Sequence, residues 1–274
     1  VLDTINYSYG DSTWKDKLTA YDGKSITYDA IGNPLSYRNG ITLTWKNGRE
    51  LATLKNGSHT VSYQYDAAGM RVSKTVDGEK HTYRYVDGAL QYESFGSREL
   101  YYTYDAYGSP ATIQYYNNGT LTGTYYLAHN FRGDVTDIYT GAGELRAHYE
   151  YDAWGNPLSI TDQNGNDIIS TTHIGQMNSL RYRGYVYDRE SGLYYLQSRY
   201  YDPLVGRFVN ADVYVSTGQG INALNMYNYC LNNPVNMIDV GGQIPAFLVA
   251  IAGVLGGPVG VAVALTGVAV AAII

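Results

Sequence analysis

Residues 198–212 read SRYYDPLVGRFVNAD, which places Arg199, a Tyr-Tyr pair, Asp202, Arg207 and Asp212 within fifteen positions. Such a density of carboxylate, guanidinium and tyrosine is unusual for a plain strand or helix, and the chemistry it offers is acid–base. Two carboxylates brought together separate their pKa values, so that one ionises and takes a proton from water while the other stays protonated and polarises a carbonyl. A bidentate arginine holds one of them ionised and fixes its rotamer. The plain alternative is that aspartates in such loops cap turns and that Arg199 and Arg207 make ordinary sheet-face ion pairs.

Other candidates carry less. DQNGND (162–167) spaces its oxygens like the start of an EF-hand loop, but Asp167 stands where glycine is wanted and His173 where the bidentate glutamate belongs, so it reads as a hairpin turn. His59, His81, His129, His148 and His173 lack metal-ligand spacing and read as solvated strand residues, with no metal and no cofactor expected. The single cysteine, Cys230, reads as a small buried hydrophobe. A formal net charge of -6 with no basic cluster argues against nucleic acid as a partner.

The elements that must position these groups are strands. The 274 residues include 31 tyrosines against 4 phenylalanines and 3 tryptophans, together with 31 glycines. A ring that carries a hydroxyl suits a half-packed, half-wet surface, and tyrosine runs broken by glycine turns favour strands. Four segments share one pattern: YDAIGNPLSY (28–37), YDAAGMRVSK (65–74), YDAYGSPATI (104–113) and YDAWGNPLSI (151–160), with spacings of 37, 39 and 47 residues. Repeats that stretch in this way fit hairpins of varying length better than a rigid short solenoid. In each, the tyrosine ends a strand, Asp29, Asp66, Asp105 or Asp152 bonds its own backbone, and Gly32, Gly69, Gly108 or Gly155 supplies a positive φ. NFRGDVTDIYTGAGE (130–144) and AYDGKSITY (20–28) are weaker units of the same grammar.

These Tyr-Asp-x-x-Gly units resemble the YD repeats of the RHS family. The stretch from RYRGYVYDRESGLYYLQSRYYDPLVGRFVNAD (181–212) to NMYNYCLNNPVNMIDVGG (225–242) resembles that family's core module. The resemblance implies an all-β protein, a YD-repeat hairpin strip over residues 1–180 curling into a shell, with the core module at 181–243 closing or plugging one end. It also implies an intramolecular aspartic protease with Arg199, Asp212 and Asp239 as its catalytic residues, cutting the chain between Gln243 and Ile244. The sequence departs from the family motif at Val240, where proline is expected, and at Gln243, where leucine is expected.

From Ile244 to Ile274 the chain carries no charge. One helix of that length would run about 46 Å, and Pro258 after Gly256 and Gly257 divides it more naturally into two apolar helical arms. Three readings compete for this tail: the start of a pore-forming or translocating cargo, a transmembrane anchor, or a core segment of a further domain. The chain reads as a piece of a longer, secreted or cell-surface bacterial protein. The leading expectation is a toxin shell whose partners are its own C-terminal cargo and an immunity protein. The alternatives are an adhesion or carbohydrate-binding protein without cleavage, and an envelope protein that contacts the membrane through 244–274.

Overall fold

The computed structural model describes residues 4–57, 59–214, 224–243 and the backbone of 246–247. Fourteen strands in chain order, from Thr27–Tyr28 to Pro157–Thr161, form one antiparallel sheet in which each strand pairs with its sequence neighbours. Two-residue connections such as Asp77-Gly78, Asp87-Gly88 and Asn118-Gly119 have both φ values positive. This is the backbone hand that matches the twist of the strands they join.

The repeat turns follow one scheme. Asp66 Oδ1 accepts from Ala68 N at 2.9 Å and from Met70 N at 3.0 Å. Asp29, Asp105 and Asp152 accept in the same way from the second and fourth residues that follow each of them. Tyr28, Tyr65, Tyr104 and Tyr151 each end a strand, as expected. Their hydroxyls donate to backbone carbonyls of earlier hairpins, Leu18, Leu51, Leu90 and Val135, at 2.7–3.1 Å. The ring is thereby packed and its polar tip satisfied. The same turn forms around Asn130 and around Asp162, so the EF-hand-like stretch is a hairpin turn.

Connections in an antiparallel meander alternate between the two rims of the sheet. The turns at Asp29, Asp66, Asp105, Asn130 and Asp152 therefore fall on one rim, together with Asn47-Gly48 and Asp87-Gly88. That rim is tied to later residues. The Tyr227 hydroxyl donates to Gly32 O at 2.9 Å, Gln197 Nε2 to Gly88 O at 3.1 Å, Arg183 Nη1 to Arg132 O at 3.0 Å and the Tyr194 hydroxyl to Gly155 O at 2.8 Å. First and last turns both reach the same segment, so the sheet curls around it without closing into a barrel. At Gly155 the approach is so close that a Cβ would lie 2.4 Å from the Tyr182 ring. One face of the sheet, with Leu54, Val61, Tyr63, Leu100 and Ile113, shares a core with Leu193, Tyr195 and Tyr200 of that segment.

Charge is buried in the same interface. Asp188 is fully buried; Arg71 donates to both of its oxygens and Lys74 Nζ lies 2.9 Å from Oδ1. The Arg71 guanidinium packs over the rings of Tyr195 at 4.4 Å and Tyr83 at 4.7 Å. A second buried pair joins Arg38 to Asp202.

The apolar tail is the part that differs from expectation. Its described residues, Ala246–Phe247, form a short strand against Met237–Ile238 where a helix was expected, because that strand offers them a hydrogen-bonding edge. Residues 244–245 and 248–274 lie outside the described residues, so the helical arms do too.

Burial opposes ionisation of Asp188, but Arg71 and Lys74 outweigh it and hold the carboxyl below its ordinary value. The stability this contributes is present above the ordinary carboxylate pKa and is lost as pH falls through the depressed one. Asp188→Asn leaves Arg71 buried without its anion and Lys74 with Glu190 alone, and should cost about 3–5 kcal/mol. Urea denaturation at neutral pH reads this, and an unchanged midpoint would refute the role given to the cluster.

Candidate active site

Leu193–Leu196, Arg199–Asp202 and Arg207–Phe208 are successive strands of a small antiparallel sheet that starts at Val186–Asp188. Leu196 pairs with Arg199 across a two-residue turn in which Gln197 has φ 60°. That turn starts the strand at Arg199, whose guanidinium lies 3.5 Å from the centroid of the Phe208 ring. Asp212 follows the last strand and is held by its N–H to Met226 O at 2.8 Å. Asp239 follows Met237–Ile238, and its carbonyl accepts the Tyr185 hydroxyl at 2.8 Å.

These placements bring the three expected residues together. Arg199 Nη2 stands 2.8 Å from Asp212 Oδ2 and 3.7 Å from Asp239 Oδ2, with all three residues buried. Each carboxylate also caps a turn through its other oxygen: Tyr214 N donates to Asp212 Oδ1 and Gln243 N to Asp239 Oδ1, both at 3.0 Å. Turn capping and carboxylate pairing, set against each other by the sequence, therefore coexist on different oxygens. Asp239 Oδ2 is buried with no hydrogen-bond partner among the described residues.

The chain beside the expected cut is held as well. Arg199 Nε donates to Gly242 O, and Ser198 Oγ donates to Gly241 O at 2.6 Å and to Gly242 O at 2.9 Å. Gly242 has φ +74°, and a Cβ there would meet Leu196 O at 2.7 Å, so this close approach admits only glycine. Gln243 is thus placed against Asp239, while Ile244 lies outside the described residues.

Electrostatics separates the groups from water-like behaviour. Burial pushes the Asp212 and Asp239 carboxyls above the ordinary value, and Arg199 pulls back only part of that shift. Burial also pulls Arg199 down to about 10, against the two carboxylates that raise it. Cys230 is buried, and burial pushes its thiol well up, which leaves it inert as a nucleophile.

His59 and His148 are solvated strand residues as expected, whereas the other three histidines depart from that expectation. His81 stacks on Phe95 and faces the buried Glu93, His129 is mostly buried, and His173 caps the short α-helical turn Ile174–Met177, since a polar ring nitrogen there satisfies the N–H of Gly175. Sequence reasoning missed Ser198, Met226 and Arg49 as supports of the site. Ser198 had a signal in its position next to Arg199, whereas the others are distant in sequence.

No protein-family model matches the chain. It is 35% identical over 245 residues to the tRNA3(Ser)-specific nuclease WapA of Bacillus spizizenii and 34% identical over 245 residues to the tRNA nuclease WapA of Bacillus subtilis strain 168. Both alignments cover 88% of this chain and 10% of the relative, so the chain spans about a tenth of these relatives. Toxin subunit YenC2 of Yersinia entomophaga is 37% identical over 67 residues, 24% of this chain and 6% of YenC2. Among solved structures, TcdB2-TccC3-Cdc42 superimposes with a TM-score of 0.63 at 20% identity, covering 87% of this chain and 13% of that one. The fold defines an all-β protein built as a repeat sheet wrapped around an internal carboxylate pair. It is an RHS-repeat-related protein.

Because both carboxyls sit above their ordinary value in the folded chain, the fold retains protons that the unfolded chain releases. Their contribution to stability is full below the ordinary pKa of 3.8 and is lost as pH rises through the folded values. Asp239→Asn removes one such group, so its urea midpoint relative to wild type should climb as pH rises from 3.8 toward neutrality. A difference that stays flat with pH would show that Asp239 is not held protonated by the fold.

Proposed function

We propose that this chain is part of a secreted or cell-surface shell that encloses and delivers a C-terminal toxin, and that the shell cuts itself once, between Gln243 and Ile244, to free that cargo. The observation that carries the proposal is the meeting of Asp212 and Asp239 on one Arg199 nitrogen, with the Gln243 amide bonded to Asp239. The curled repeat sheet and the similarity to toxin proteins support the shell and its bacterial-competition setting. An immunity protein for the cargo belongs to the same reading. Among the described residues no helix is long and apolar enough to cross a membrane.

The geometry divides the roles. Asp212 lies nearer to Arg199 and acts as the ionised base that takes a proton from water. Asp239 is the more deeply buried, and burial together with the Asp212 charge favours its protonated form, which polarises the Gln243 carbonyl. Water adds to that carbonyl, the Gln243–Ile244 C–N bond breaks, and the Ile244 amine leaves with a proton. Arg199 and Ser198 hold the Gly241 and Gly242 carbonyls and so fix the peptide next to the pair.

The full-length parent should therefore be recovered as two polypeptides divided after Gln243, and Asp212→Asn and Asp239→Asn should each leave it whole with the fold retained. Mass spectrometry of the purified parent reads both results. An uncut wild type that becomes cut after Val240→Pro with Gln243→Leu would place the loss in those two residues. A parent that stays whole even then would overturn the protease assignment.

A further inference from the structure

Asp212 is not held by its own sheet alone. Arg49 stands just after the Asn47-Gly48 turn on the rim of the repeat sheet, and its Nη1 donates to Ala211 O at 2.7 Å, the carbonyl immediately before Asp212. The other side of Ala211 meets the rim too, with its N–H 3.4 Å from Gly32 O. Gly32 O also accepts the Tyr227 hydroxyl at 2.9 Å, and Tyr227 neighbours Met226, whose carbonyl receives Asp212 N at 2.8 Å. Two turns near the start of the sheet therefore grip the peptide groups on either side of Ala211, the residue that precedes Asp212. The sequence separation between Arg49 and Ala211 is 162 residues, so this grip forms only when the curled sheet has seated on the later segment.

The charged groups that face Asp212 are three. Arg199 reaches it from the small sheet, Asp239 stands across Arg199 Nη2, and Arg49 approaches from the rim. The Arg49 charge acts directly on Asp212 in the direction that favours its ionised form, while on Arg199 it is a like charge that opposes protonation. No other part of the rim supplies both a directed hydrogen bond beside Asp212 and a cation among the described contacts of that residue.

We propose that Arg49 is a positioning residue that couples seating of the repeat-sheet rim to assembly of the carboxylate pair, so that the cut waits until the sheet is in place around the segment. This rests on the self-cleavage reading given above. Arg49 acts through the Ala211–Asp212 backbone, by its hydrogen bond to Ala211 O. A cut made before the sheet curls would free the cargo outside the shell, and a contact that exists only in the curled state removes that route. Displacing a reacting group by an ångström is enough to slow an oriented reaction about a hundredfold.

The test uses the full-length parent made by cell-free translation, quenched in urea and refolded into buffers from the ordinary carboxylate range to neutrality, with the cut fraction followed on gels. Arg49→Ala should slow cutting at least about tenfold, since Asp212 loses its hold. The pH at which the base limb rises should move upward, since a cation near Asp212 is gone. Arg49→Gln keeps a donor for Ala211 O without the charge, and should recover most of the rate while leaving the pH limb shifted. Asp212→Asn, run alongside, should not cut at all.

If Arg49→Ala cuts at the wild-type rate with the wild-type pH limb while Asp212→Asn stays whole, the coupling is wrong and the protease reading stands. If Gln and Ala variants are equally slow, the effect belongs to charge alone and positioning is overturned. If Asp212→Asn cuts, the protease reading falls and takes this proposal with it. Should Arg49→Ala fail to fold, as judged by the loss of its urea transition, Arg49→Gln carries the comparison with wild type. A wild-type rate and an unshifted limb in that variant would then overturn the effect of the Arg49 charge, and a rate as slow as an unfolded chain would overturn the role of the donor.

Discussion

The position of Asp188 governs the molecule. Two cations from one strand of the repeat sheet, Arg71 and Lys74, converge on this one buried carboxylate of the enclosed segment. Arg71 and Asp188 depend on each other for their charge in that place, and Lys74 is shared between Asp188 and Glu190. The cluster therefore acts as a register pin: sliding the sheet by one residue along the segment would strand charge in an apolar interior. The rings of Tyr83 and Tyr195 that pack against the Arg71 guanidinium depend on the same alignment. With the register set, the rim turns come to lie against Tyr194, Gln197, Ala211 and Tyr227, and the small sheet carrying Arg199 is oriented as a consequence.

Tyrosine serves two purposes that phenylalanine could not combine. At the strand ends its hydroxyl reaches a carbonyl of an earlier hairpin, so each repeat is stitched to its predecessor by a bond outside the sheet ladder. In the enclosed segment, Tyr182, Tyr185, Tyr194, Tyr201 and Tyr229 pack on one another and on Phe208 as a buried aromatic cluster. Their hydroxyls leave that cluster to meet backbone carbonyls such as those of Ala153, Trp154 and Gly155 at the last repeat turn. Burial of so many polar tips is tolerable because a curled sheet rim presents carbonyl groups all around the segment.

At the carboxylate pair, the same economy of contacts appears on single side chains. Asp212 and Asp239 each spend one oxygen on a local turn and leave the other toward Arg199. The local turn fixes the rotamer, and that fixed rotamer aims the free oxygen. Asp239 Oδ2, buried and without a hydrogen bond among the described residues, is in the kind of surroundings that retain a proton on a carboxyl.

Much of this was legible in the chain itself, because it depends on short-range chemistry. The strand ends at Tyr28, Tyr65, Tyr104 and Tyr151, the aspartate-capped turns and the positive φ at their glycines follow from neighbours within five residues, and the all-β class follows from their repetition. The meeting of Arg199, Asp212 and Asp239 was anticipated from resemblance to the RHS motifs, while composition alone left turn capping and pairing unresolved. Only the tertiary structure decided that Arg71 and Lys74 are buried on Asp188, that Arg49 holds Ala211, that His81 and His129 turn away from solvent, and that Ala246–Phe247 begins as strand. A charged residue in an alternating strand pattern reads as solvated until its partner, more than a hundred positions away, is brought to it by the curl of the sheet. Turn chemistry is written in adjacent residues, whereas the burial of a charge is a property of two distant surfaces meeting.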